Sequence, residues 1–223
     1  MGFPSRPRLV ASRTAAMSSL PWKALLAPFA ALAFALSAQA AGVTATVTDK
    51  TGRPLPGAVV TLEPVGARLP VKPMAGIEIS QKDKKFMPDV TIVTVGTPVT
   101  FPNRDTVRHH VYSFSPAKTF ELKLYAGTPS TPVVFDKAGI AVIGCNIHDR
   151  MTAWVVVVDT PFHARSASNG SVRLDGVPAG SYRLRAWHAA LATDAAPPSV
   201  AITVGATDVD AAIRLDAVDG GAS

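Results

Sequence analysis

Cysteine is almost missing from this chain, which has one, Cys145, among 223 residues. A single thiol excludes a disulfide within the chain, so stability must come from the apolar core and from bound groups. Aromatic residues supply 7% of the chain and charged residues 17%. They form neither a basic stripe nor the interleaved aromatics that neutralise phosphates and stack bases, which sets nucleic-acid binding aside. Long hydrophobic runs are also lacking. The longest, residues 24–36, has 13 residues and is interrupted by Pro28, whereas a helix across a bilayer needs about 20. No membrane span is expected. Helical periodicity is absent beyond residue 40.

What is present at the N-terminus reads as an export signal. Arg6, Arg8, Arg13 and Lys23 precede the apolar run, and Ala38-Gln39-Ala40 satisfies the small-residue rule for signal peptidase. Residues 1–40 are therefore expected to be removed, leaving Ala41 first, with Met17 as an alternative start. There is no twin-arginine pair, so export by the general route to the periplasm is expected. The formal charge of +6 overstates the mature chain, because this segment holds four of the 22 basic residues and none of the 16 acidic ones. Eighteen basic against 16 acidic residues leave +2, a mixed surface. A free thiol in an oxidising compartment needs a purpose, and thiolate bound to a metal is shielded and held deprotonated.

The remaining residues, about 183, suffice for one large or two small domains. Alternation through residues 43–48, the runs 58–62, 90–95, 153–158 and 182–187, and the turn residues between them predict an all-β sandwich.

The chemistry concentrates in Cys145-Asn146-Ile147-His148-Asp149-Arg150-Met151, with His109-His110 lying 36 and 35 residues before the cysteine. One thiolate, two imidazoles and one thioether are the donors of a trigonal His2Cys copper centre with a weak axial Met. Zinc accepts Cys and His but gains little from a thioether, so Met151 favours copper. The β run 140–143 ends just before Cys145 and the next begins at residue 153, so the donors occupy a loop able to fold around one ion. The other imidazole would come from the strand segment 107–113, whose pairing fixes it in advance. Adjacent strand residues point to opposite faces, so only one of His109 and His110 can reach a given ion.

With these residues the chain resembles the cupredoxins, the plastocyanin- and amicyanin-like blue copper proteins, and bacterial methylamine-utilisation-like proteins. The resemblance covers residues 74–159. Phe86-Met87-Pro88, Val95-Gly96, Val99-Thr100-Phe101-Pro102-Asn103, Phe135 and Gly139 accompany the Cys-x-x-His-x-x-Met spacing. It implies a Greek-key β-sandwich with His109, Cys145 and His148 as ligands of one copper ion and Met151 as the axial thioether. The family pattern His-x-Val favours His109 over His110. Where the family usually carries Asn, this chain has His110, expected to bridge to the ligand loop through Asn146. Aromatic residues that often precede the cysteine are absent, with Ala141, Ile143 and Gly144 in those places.

The flanks resemble a carboxypeptidase-regulatory-like, or prealbumin-like, domain in two pieces. Residues 47–60 are similar to its opening hairpin, and Asn169-Gly170-Ser171 with Val177-Pro178-Ala179-Gly180 to its continuation, the glycines standing where tight turns need positive φ. The order implies a cupredoxin inserted into, or lying beside, a small sandwich built from 42–68 and 160–216. Tyr182, Trp187 and His188 are expected in its core or on a binding surface.

The resemblance further implies an electron carrier, not an enzyme, cycling one copper between Cu(I) and Cu(II). His148 would be the exit for the electron and Ile147 part of an apolar docking patch. Its partner would be a redox protein such as a cytochrome c or a quinoprotein dehydrogenase. A copper chaperone or store, or a metal-free binding module, remains the alternative.

Overall fold

The computed structural model describes Gly2, residues 40–191 and residues 195–219. The expected export signal, apart from Gly2 and Ala40, lies outside the described residues. Among the described residues the chain forms strands and no helix, an all-β architecture of the cupredoxin-like sandwich class.

Alternating small apolar and polar residues make β1 (Ala40–Asp49) a half-buried strand, with Val43, Ala45 and Val47 inside. After it, β2 (Val59–Pro64) does not pair with β1 as the expected hairpin would require; the two fall in different sheets. Between them lie Pro54 and Pro56, which offer no N–H to a ladder, and Gly52 and Gly57 at positive φ (83° and 76°). The chain therefore leaves one layer and enters the facing one.

It then runs through ten strands that pair only among themselves. These are β3 (Ile77–Glu78), β4 (Ser80–Lys82), β5 (Lys85–Met87), β6 (Val90–Thr94) and β7 (Thr97–Thr100). They continue with β8 (His109–Ser115), β9 (Lys118–Tyr125), β10 (Val133–Phe135), β11 (Gly139–Gly144) and β12 (Thr152–Val158). A five-stranded sheet in the order β6-β12-β11-β8-β9 faces a three-stranded sheet in the order β10-β7-β3. Ile79, Phe86, Val99, Phe101, Val111, Phe135, Ile143 and Val155 fill the space between, and Cys145 and Met151 belong to the same core. Strand β9 alternates Phe120, Leu122 and Leu124 with charged residues, yet it goes unread in the sequence because its inward side chains are only partly buried.

The last strands return to the first two. β13 (His163–Arg165), β14 (Ser171–Pro178), β15 (Gly180–Trp187), β16 (Ser199–Val204) and β17 (Val209–Leu215) complete the chain. β1 lies between β14, antiparallel, and β17, parallel. β2 lies between β13 and β15, with β16 beyond. Gly170 does turn at positive φ (74°). Gly180 does not, because it opens β15, and β14 and β15 belong to opposite layers, so no hairpin forms there; Gly176 is the second glycine at positive φ (72°). Tyr182 and Trp187 are buried, and the Tyr182 hydroxyl donates to the Pro178 carbonyl at 2.9 Å.

Strand β12 serves both cores. Ala153, Val155 and Val157 face the first, while Val156 and Val158, with partly buried Trp154, face the second, which β1, β2 and β14–β17 also build. Trp154 meets Trp187 there with ring centroids 6.3 Å apart.

Candidate metal centre

Strand alternation aims the donors. In β11 the side chains of Ala141 and Ile143 are buried, and one period on the Cys145 thiol enters the same core at 4% exposure. In β8 the inward set is His109, Val111 and Ser113, while Tyr112 and Phe114 face outward. The pairing of β8 with β9 shifts register between His109 and Val111, a bulge of the kind that re-aims side chains beside functional sites.

Three predicted ligands come together. The Cys145 Sγ lies 3.8 Å from Nδ1 of His109 and 3.9 Å from Nδ1 of His148. All three donor atoms lie within 4.8 Å of one another, and the two imidazole centroids are 5.1 Å apart. Transition metals take imidazole and thiolate donors at about 2.0 and 2.3 Å, which at trigonal angles places nitrogen and sulfur about 3.7 Å apart. The observed separations fit. His109 is fully buried and His148 half-buried. The loop closes through the Met151 N–H, which donates to the His148 carbonyl at 2.9 Å, and Met151 is buried in the core that holds Cys145.

His110 takes another role. Its Nε2 pairs with the Glu121 carboxylate at 2.9 Å rather than with Asn146, and its Nδ1 is buried without a partner. The register explains this, since Glu121 on β9 stands opposite Tyr112 on the outward face that His110 shares. Asn146 and Ile147 are exposed and line a shallow hollow with His110, Glu121, Lys123 and Leu124. The ring of Tyr112 covers Gly144, the residue directly before the cysteine. A Cβ on Gly144 would lie 2.8 Å from Tyr112 Cζ and 2.9 Å from its hydroxyl oxygen.

Asp105 is the residue that sequence reading missed. Its Oδ2 lies 2.6 Å from Nε2 of His109, and its side chain is only 12% exposed. The backbone N–H groups of Asp83 and Lys84 donate to the same carboxylate at 2.7 and 3.0 Å. Burial alone would raise the Asp105 carboxyl, but those N–H donors and the His109 imidazole together hold it below the usual carboxylate range. On the other wall Tyr125 accepts from Gln81 Nε2 and donates to the Phe101 carbonyl, both at 2.5 Å. Burial, joined by charge on Cys145, pushes this phenol up to about 12 against the opposing Gln81 hydrogen bond, so it stays neutral. Asp105 four residues before His109 was the available signal.

No family model matches the chain, and no curated protein matches it. Solved structures similar to it are cupredoxins. A novel purple cupredoxin from Nitrosopumilus maritimus is 22% identical, with 37% of this chain and 99% of that one covered and a TM-score of 0.33. A Cu-containing nitrite reductase, NirK, from Thermus scotoductus SA-01 is 22% identical, with 44% of this chain and 26% of that one covered and a TM-score of 0.37. An amicyanin variant in its reduced Cu(I) form at pH 4 is 21% identical, with 44% of this chain and 98% of that one covered and a TM-score of 0.35.

Proposed function

We propose that His109, Cys145 and His148 hold one copper ion, with Met151 as the axial donor, and that the protein carries single electrons between redox partners in the periplasm. The observation that carries this reading is the convergence of one thiol sulfur and two Nδ1 atoms at 3.8 and 3.9 Å, with Cys145 and His109 buried and His148 half-buried. Bound there, copper supplies a one-electron couple, and no substrate bond is made or broken.

The chain's own residues do the rest. Cys145 must release its proton to bind, so metal uptake is coupled to thiol ionisation. His109 is fixed from strand β8 and Met151 from the closing turn, so the site changes little when the electron moves. The neutral Tyr125 and the surrounding Phe101 and Phe135 exclude water. Half-buried His148 offers the route outward. Beside it Ile147 is 48% exposed and shares its hollow with exposed Leu124, an apolar patch fitted to a soluble redox protein such as a cytochrome c or a quinoprotein dehydrogenase. Delivery to the periplasm rests on the composition of residues 1–40.

With it we propose a cupredoxin module, residues 74–159, inserted into a small carboxypeptidase-regulatory-like sandwich of residues 42–68 and 160–216. The support is that β1 and β2 draw their sheet partners from β13–β17 alone.

The test is the visible and electron-paramagnetic-resonance spectrum during titration with Cu(II), beside Cys145→Ala, His109→Ala and His110→Ala. An intense blue band saturating at one equivalent, lost in the first two variants and kept in the third, is expected. Colourless binding that a chelator removes at once would identify a copper-handling protein instead. Spectra unchanged by the variants would end the metal-centre reading.

A further inference from the structure

We propose that Asp105 is a positioning residue that fixes the tautomer of His109 and lowers the reduction potential of the site, and that the tip of the β4–β5 hairpin exists to hold it. The inference rests on the copper reading above for its second half only.

The argument begins at the hairpin tip. Asp83 and Lys84 both adopt positive φ (52° and 57°), a conformation that aims two successive N–H groups to one side. Both donate to Asp105, one to each carboxylate oxygen. Asp105 is held from its own backbone too, since its N–H donates to Asn103 Oδ1 at 2.9 Å. Asn103 in turn donates to the carbonyls of Val107 and Tyr125 at 2.8 and 2.9 Å. An acceptor fixed on so many sides cannot turn away.

A carboxylate with these donors can only accept from His109, so Nε2 must carry the ring proton. In the neutral ring the lone pair then lies on Nδ1, the atom 3.8 Å from the Cys145 sulfur. The imidazole is ready for a metal before one arrives. The negative charge behind the ring also makes it a stronger donor and favours the more positive oxidation state. His148 shows no such partner among the described residues, so the two imidazoles are inequivalent.

The first measurement uses the metal-free wild-type protein and needs no copper. Ring nitrogen-15 shifts should show His109 wholly as the Nε2–H tautomer, and a dominant Nδ1–H form would overturn the proposal. The second compares Asp105→Ala and Asp105→Asn with Asp136→Asn, which removes the same charge from the exposed Lys118 pair. Asp105→Ala should mix the tautomers and weaken Cu(II) binding by about 10–100-fold. Asp105→Asn keeps an acceptor oxygen, so it should retain the blue band and raise the reduction potential, while Asp136→Asn leaves both unchanged. Equal potentials in the two Asn variants would sink the electrostatic half. If wild type formed no blue centre, the copper reading would fall, and the tautomer result would still decide the role of Asp105.

Discussion

At the scale of single residues the candidate donors were readable, because thiol, imidazole and thioether at short spacing have few other uses, and the structure brings Cys145, His109 and His148 together. What held them was not readable. Asp105 reaches His109 only because a loop folds back, and Glu121 reaches His110 only through a strand register that the sequence pattern did not reveal. Gly144 is a third case, since a glycine directly before the cysteine has no evident reason until the ring of Tyr112 is seen above it. Gly144→Ala should therefore destabilise by about 1–3 kcal/mol through overpacking. In a Tyr112→Ala background the same change should cost nothing, or stabilise by up to about 1 kcal/mol by restricting the unfolded chain. Urea unfolding of the four proteins measures this coupling, and an equal cost in both backgrounds would mean that Gly144 is not making room for Tyr112.

Among elements, the runs with strong alternation or continuous apolar character were found to within three residues, the largest miss being the start of β1 at Ala40 rather than residue 43. The strands that went unread include β9 and β16, whose burial is shallow, β17, buried only at Ile213 and Leu215, and the very short β3, β4 and β5. Short β13 was also unread, and it carries His163, whose two ring nitrogens are both buried without partners. Burial holds this imidazole below its ordinary value near 6.5. The unfolded chain therefore takes up the proton first as pH falls. Stability from this residue is whole above about 6.5 and declines as pH drops through that value towards the lower value of the folded state. His163→Leu removes two unsatisfied polar atoms and the titration together. We expect it to be at least as stable as wild type at pH 7.5, and to lose less stability on going to pH 5. Denaturant midpoints at the two pH values give the comparison, and parallel losses in both proteins would exclude His163 as the cause.

At the scale of the molecule, the two cores meet along one sheet, where β6 gives Val90 to one and Val93 to the other and β12 is divided in the same way. The inward face of β12 contributes Ala153, Val155 and Val157 to the core that contains Cys145, and its outward face contributes Val156 and Val158 to the other. Sequence could not show this, because a continuous valine run is equally suited to burial on both faces and says nothing about what covers each. The consequence is mechanical. Trp187 comes from the late strand β15, is 5% exposed, and lies against Trp154 on β12. Trp187→Ala should remove about 3–5 kcal/mol by opening a large cavity at this joint. If β12 couples the cores, the loss is shared. Amide hydrogen exchange in the metal-free protein should then accelerate in β8 and β11, which present His109 and lead into Cys145, as well as in β1 and β15. Acceleration confined to β1, β2 and β13–β17, with β8 and β11 as protected as in wild type, would instead show that the half containing Cys145 stands alone and that the flanking sandwich is only carried by it.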